Sequence, residues 1–372
     1  MTTSIVLGLG FGDEGKGLTT SYLASACEPS RTLVVRFCGG HQAGHTVWHN
    51  GHRHVFSSFG AATLQGVATL WSRFCTFYPN AVCNEYEALQ SFRPQLFVEN
   101  LCPVTTPFDR LQNHLLEGEK KHGSCGVGFG ATLQRHENYY KLYVQDLYFE
   151  SVLKAKLQNI LEHYAKVLPP HWREITADFL AKIEQVKRII TPEKSDFATF
   201  KNIVFEGAQG ILLDMDFGFF PNVTRSNTTA KNALTLIGEW LLPKPSIYYI
   251  TRSYQTRHGN GFMSNEDMPP PRLLNNADET NITNEWQGEF RKTTLDADLL
   301  NYALLCDSHF AGDCPKNLVI TCLDQTQGQI PFTAQEGKVR GQTIAQLLAQ
   351  LRTNFGEVWQ SRSPDSTLER WT

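Results

Sequence analysis

The chain has 372 residues, 41% of them hydrophobic, and a formal net charge of −3. That is ample apolar material for a large core, and the near-neutral balance offers no basic field to a nucleic-acid polymer. No apolar run reaches the length of a membrane span, the first strand starts too early for a signal-peptide layout, and nine cysteines without a C-x-x-C pair predict reduced thiols in a cytoplasmic protein.

The first element expected is a buried strand, "SIVLGLG", followed by the loop "GFGDEGKG" (10–17) and a helix in "LTTSYLASAC". Gly10, Gly15 and Lys16 stand at phosphate-loop spacing, and strand–glycine turn–helix is the context in which backbone N–H groups hold phosphate. Gly12 adds to the turn. The usual last residue, a Ser or Thr that gives an oxygen to Mg²⁺, is Gly17 here. Asp13 stands inside the loop instead, able to bind the metal or to take a proton.

"TLVVRFCGG" reads as a second strand ending in glycines. "CGGHQAGHT" then places His41 and His45 in a turn where backbone can approach a ligand, and one of them suits phosphoryl transfer or acid–base work. "HTVWHNGHRHVFSS" predicts a hairpin about Asn50-Gly51. "PQLFVEN" is a further strand. "HGSCGVGFG" (122–130) is another glycine-rich loop, in which Ser124 suits a second phosphate. Residues 140–190 read as mostly helical, broken at Pro169-Pro170. "NIVFEGAQG" returns to a strand, with Gln209 able to read a base edge as donor and acceptor. Thr224, Ser226, Asn227, Thr228 and Thr229 follow as phosphate ligands or as a helix cap. "PSIYYITRSY" and "NLVITCLD" are late strands, "TTLDADLLNYALL" a capped helix, "GQTIAQLLAQLRTNF" a late helix, and "MPPPRLLNNADETN" a loop.

Alternating strands and helices predict an α/β fold, a large, mainly parallel central sheet with flanking helices in a single 1–372 domain. The motifs follow Leu9, Phe37, Phe205 and Thr321, beyond the carboxyl ends of strands, where ligands bind in such sheets.

"GFGDEGKG", "GGHQAGHT", "FEGAQGILLD", "NVTRSNTT", "TRSYQTRHGNG" and "TCLD", in this order, resemble the adenylosuccinate synthetase family over most of the chain. The resemblance implies a ligase that couples L-aspartate to C6 of a purine nucleoside monophosphate, using Mg²⁺ and a nucleoside triphosphate, in a homodimer. It makes Asp13 the base for the purine N1 proton and a Mg²⁺ ligand beside the Gly44 carbonyl. It makes His45 the residue that stabilises phosphoryl transfer and Gln209 the contact to the O6 region. Gly12, Gly15, Lys16, Gly17, Thr46 and Asp324 fall on the triphosphate. Gln42, Ser124, Cys125, Thr224 and Arg291 fall on the other substrates, and Arg135 is the candidate arginine that crosses to a partner's nucleotide.

The chain also departs from the common family form. Gln42 stands for Asn, Cys322 for the Lys of the guanine-reading Lys-x-Asp, and Gly288-Glu289-Phe290 for arginines before Arg291. These features resemble a phage branch that converts dGMP and aspartate to N6-succino-2-amino-2′-deoxyadenylate with ATP or dATP, in the host cytoplasm. That branch is one reading; an ordinary synthetase using IMP and GTP is the second, and a nucleotide-binding regulator without turnover a third. The retained Asp13 is the ordinary state of the family.

Overall fold

The computed structural model describes residues 1–120, 125–192, 197, 199–274, 288–365 and 367–372. In chain order, β1 (Thr2–Gly8) leads through the glycine loop into α1 (Lys16–Ser25), and β2 (Thr32–Arg36) into the hairpin β3 (His45–His49) and β4 (His52–Phe56). Then come β5 (Ala68–Trp71), α2 (Pro79–Leu89), β6 (Leu96–Val98), α3 (Pro107–Lys120), α4 (Phe129–Glu137), α5 (Glu150–His163), α6 (Trp172–Val186) and β7 (Ile190–Pro192). The second half runs β8 (Asn202–Glu206), α7 (Lys231–Glu239), β9 (Ser246–Arg252), β10 (Gln255–His258), β11 (Phe290–Thr293), β12 (Leu295–Asp296) and α8 (Ala297–Ala311). It closes with β13 (Lys316–Thr321), β14 (Phe332–Ala334), β15 (Val339–Gly341), α9 (Ile344–Leu348), β16 (Glu357–Gln360) and β17 (Glu369–Arg370).

Ten strands form one sheet in the order β17-β16-β13-β9-β1-β8-β2-β5-β6-β7. Every pairing in it is parallel except that of β17 with β16. The central strands are apolar throughout because both faces are covered, as parallel sheets require. Ile5, Val6, Val34, Val204, Phe205 and Ile250 are fully buried. The α/β expectation holds. One hydrophobic cluster joins the sheet to α7 and α8, and a second gathers α2, α5 and α6 on β5 and β6.

Most of the expected elements are present. Asn50 and Gly51, at φ 48° and 77°, form the two-residue hairpin turn. Asp296 caps α8 by accepting from the N–H groups of Asp298 and Leu299. The late helix is shorter than its sequence pattern. It has a Thr343–Gln346 capping box but spans only Ile344–Leu348. Asn301 on α8 clamps the chain beyond it, donating to the Gln350 carbonyl at 2.9 Å and accepting from the Arg352 N–H at 2.8 Å.

Arg135 is corrected here. It does not reach out to a second subunit: its side chain is fully buried in α4. Nε and a terminal nitrogen donate to the two Asp109 oxygens at 2.8 and 3.0 Å, and the other bonds go to the carbonyls of Val104 and Tyr140. Burial opposes ionisation of Asp109, but the Arg135 guanidinium, with bonds from Thr106 and Tyr164, outweighs it and holds the carboxyl below its ordinary value. Its work is to tie α3 to α4. Arg135→Met leaves Asp109 buried and unpaired, so unfolding free energy should fall by roughly 3–5 kcal/mol. Denaturant titration checks this; a loss under about 1 kcal/mol, the scale of an exposed pair, would mean that the buried pair is not structural.

Candidate active site

One cleft of about 640 Å³ opens beyond the carboxyl ends of β1, β2, β8, β9 and β13. β1 lies between β8 and β9, where the chain order of the sheet reverses, the place where open α/β sheets bind ligands.

The glycine loop forms its floor. Gly12 and Gly15 both take φ 94°, and Asp13 takes φ 58°, a left-handed conformation costly for a residue with a Cβ. Three contacts hold it. Glu14 turns under the loop and accepts from the Gly10 N–H, the Arg252 Nε donates to the Asp13 carbonyl, and the Thr321 hydroxyl donates to the Glu14 carbonyl at 2.9 Å. Burial pushes the Glu14 carboxyl up to about 7, against the pull of Lys16 and the Gly10 N–H. The missing loop hydroxyl has a steric cause. A Cβ at Gly17 would meet the Cβ of His45 at 2.7 Å, so a Ser or Thr there would displace His45.

His45 starts β3 and is buried. Its Nδ1 lies 2.8 Å from Glu206 Oε1 at the end of β8, which leaves Nε2 as the free functional atom. Nε2 is buried without a hydrogen-bond partner. Burial lowers the His45 pKa despite Glu206, so the ring is neutral. Burial would raise Glu206, but His45 and Arg36 outweigh it and keep the carboxylate ionised. Of the two histidines in the glycine turn, His41 is excluded from the cleft: it packs on Tyr78 at 5.0 Å between ring centroids, and burial drives its pKa to about 3.

Gln209 follows β8 at φ 60°, with Oε1 buried and unpartnered. Both amide atoms of Gln42 are likewise unpartnered. Buried polar atoms in native folds normally find partners, so these orphans around one cleft mark where a polar ligand belongs. Gly12, Lys16, Gly44, Thr46, Cys125, Thr224 and Asp324 also line the cleft. Ser124 lies outside the described residues. Arg291 is not among the lining residues. It is drawn aside by an ion pair to Glu266 at 2.5 Å and a bond to the Gly261 carbonyl at 2.9 Å.

The Asp13 carboxylate and the Gly44 backbone share the cleft, and among the described residues no three His, Cys, Asp or Glu side chains converge into a metal cage. That donor set fits Mg²⁺, which takes one or two carboxylates and completes its shell with phosphate oxygens and water.

Four residues escaped the sequence reading. Glu206 is an acid ending an otherwise apolar buried strand, which is itself a signal. Arg252, Arg257 and His258 sit in "TRSYQTRHGNG", where the motif stands out as a block and its single side chains do not. Arg257 lies over Phe11 at 4.3 Å, and burial lowers its pKa to about 10, so it stays charged.

Residues 5–334 match the adenylosuccinate synthetase family. The chain is 33% identical over 276 residues to adenylosuccinate synthetase of Colwellia psychrerythraea, covering 69% of this chain and 63% of that protein. It is 32% identical over 281 residues to that of Actinobacillus succinogenes, covering 70% and 64%. The match thus spans less than two thirds of these relatives' length. Among solved structures, fully ligated adenylosuccinate synthetase from Plasmodium falciparum superimposes with a TM-score of 0.76 at 18% identity, over 98% of both chains. Succinoaminodeoxyadenylate synthetase of cyanophage S-2L, bound to dGMP and dATP, gives 0.62 at 17% identity, over 99% of this chain and 95% of that one. At those identities the likeness is one of fold. The family match over residues 5–334 and the relatives at 32–33% identity establish that the chain belongs to the adenylosuccinate synthetase family.

Proposed function

We propose that this protein is a carbon–nitrogen ligase that joins L-aspartate to C6 of a purine nucleoside monophosphate through a 6-phosphoryl intermediate. The observation that carries this reading is the convergence of Asp13, Lys16, His45 with Glu206 behind it, and Gln209 on one cleft at the sheet's switch point. Asp13 takes the purine N1 proton, and O6 attacks the γ-phosphorus while the bond to the nucleoside diphosphate breaks. The aspartate amine then attacks C6, the C6–O bond breaks, phosphate leaves, and the amine loses a proton. Lys16 and the loop N–H groups hold the triphosphate. His45 Nε2 faces the transferring phosphoryl group, whose negative charge favours protonation of the ring. Asp13 and the Gly44 carbonyl would hold Mg²⁺, which would neutralise phosphate charge.

The acceptor we propose is dGMP and the donor is ATP or dATP. Gly288-Glu289-Phe290 brings no arginine toward a ribose 2′-hydroxyl, so a deoxyribose loses nothing on binding. Cys322 is too short to cover a guanine ring, whereas Asp324 still accepts from an adenine amino group; both line the cleft. The dGMP and dATP in the cyanophage structure support the same pair. The bacterial relatives named adenylosuccinate synthetase favour the second reading, IMP with GTP. Subunits pair as a homodimer under either reading.

Asp13→Asn should lower turnover by about 10²–10⁴-fold, the usual scale for a general base, with the thermal midpoint unchanged. More than about a tenth of wild-type rate, outside that scale, would remove Asp13 from the role. Phosphate release with ATP, dATP and GTP at equal concentration should favour the adenine nucleotides; a clear preference for GTP defeats the donor assignment. Aspartate-dependent product should form best from dGMP when dGMP, GMP, IMP and dIMP are compared, since a pocket that pairs the 2-amino group is left unsatisfied by hypoxanthine. Use of IMP with no reaction of dGMP makes the protein an ordinary synthetase.

A further inference from the structure

We propose that His258 is a positioning residue for Asp13, held in place by Phe290. The inference rests on the reading of Asp13 as the base. β10 and β11 pair antiparallel, with His258 directly opposite Phe290. The two rings pack at 4.6 Å between centroids, tilted by 37°. This sets the His258 Nε2 3.4 Å from Asp13 Oδ2, with the imidazole 12% exposed. A carboxylate only accepts, so Nε2 carries the hydrogen in this contact. The distance is long for a hydrogen bond, and such contacts commonly tighten when substrate binds.

Phe290 does a second thing. The Arg252 guanidinium lies over the same ring at 5.8 Å, and Arg252 donates to the Asp13 carbonyl. One aromatic platform therefore carries both groups that fix Asp13, one on its carbonyl and one on its carboxylate. Asp13 needs such support, because its backbone is left-handed and the flanking Gly12 and Gly15 resist rotation little. A base displaced by about 1 Å can lose about 10² in rate. The segment in which the family resemblance loses arginines thus gains a ring that braces the loop.

The test compares wild type with His258→Val, His258→Gln and Phe290→Ala, reading kcat and KM for each substrate and the thermal midpoint. Val should lower kcat about tenfold or more, while KM for the triphosphate stays within about twofold, as expected when a base is misplaced and substrate binding is left intact. Gln keeps an N–H at similar reach and should restore most of kcat. Phe290→Ala should resemble Val, and Val combined with Phe290→Ala should add little. A separate arm reads the His258 ring by ¹⁵N NMR. The Nε2-protonated tautomer should dominate in wild type and lose its preference in Asp13→Ala. Val with kcat within about twofold of wild type, too little for a misplaced base, overturns the proposal. So does a Gln variant no better than Val at equal midpoint, or an Asp13→Ala spectrum unchanged at His258. A wild type without aspartate-dependent phosphate release overturns the ligase reading instead, and the NMR arm still decides whether His258 engages Asp13.

Discussion

Strand β1 is hydrogen-bonded in parallel to β8 on one side and β9 on the other, and this double pairing fixes where everything else must go. Parallel strands all end on one side of a sheet. The loops after β1, β2, β8, β9 and β13 therefore open onto a common space, although their residues are up to about three hundred positions apart. A shift of β1 by one residue would turn its side chains to the opposite face and carry Gly10–Gly17 away from Gln209 and Thr321. The contacts leave little room for that: a Cβ at Gly210 would meet the Gly10 carbonyl oxygen at 2.2 Å. The glycine loop is thus part of the packing of the sheet exit, and its glycines serve contact between backbones as much as conformation.

The fold was readable in the sequence wherever one period ran long enough. The β1, β2, β8, β9 and β13 segments are apolar, short and bounded by glycine or charge, and Asn50-Gly51 specifies its turn through positive φ at both residues. β7 was not legible: three residues, two of them exposed, depend on pairing with β6 rather than on local sequence. The truncation of α9 was not legible either, because Asn301 imposes it from another helix.

The same division applies to the site. Asp13, Lys16, His45 and Gln209 announce themselves because each lies in a glycine-rich strand exit. Which of His41 and His45 faces the cleft is a matter of packing on Tyr78 and bonding to Glu206, and nothing local in "GGHQAGHT" decides it. Arg135 misled for the complementary reason. A sequence offers an arginine as a reaching cation until its partner is known, and Asp109 lies twenty-six positions away on another helix.

The charges lining this cleft suit it to anions. The whole chain carries a net charge of −3, yet Lys16, Arg252 and Arg257 all line one cleft, with Lys16 3% and Arg257 2% exposed. Taking cations out of water is costly unless an opposing charge is near. The acids at hand are Asp13 and Asp324, which line the cleft with them, Glu14 under the loop, and Glu206. Burial pushes Glu14 up to about 7, which weakens its share of the balance, and Glu206 is committed to His45. Phosphate or carboxylate groups of a ligand would add to that balance. Arg257 has support of its own while buried: its guanidinium rests on Phe11 and bonds the carbonyls of Asn222 and Phe262. The fold thus gathers these cations in advance, and an anionic ligand entering the cleft would meet charges already in place.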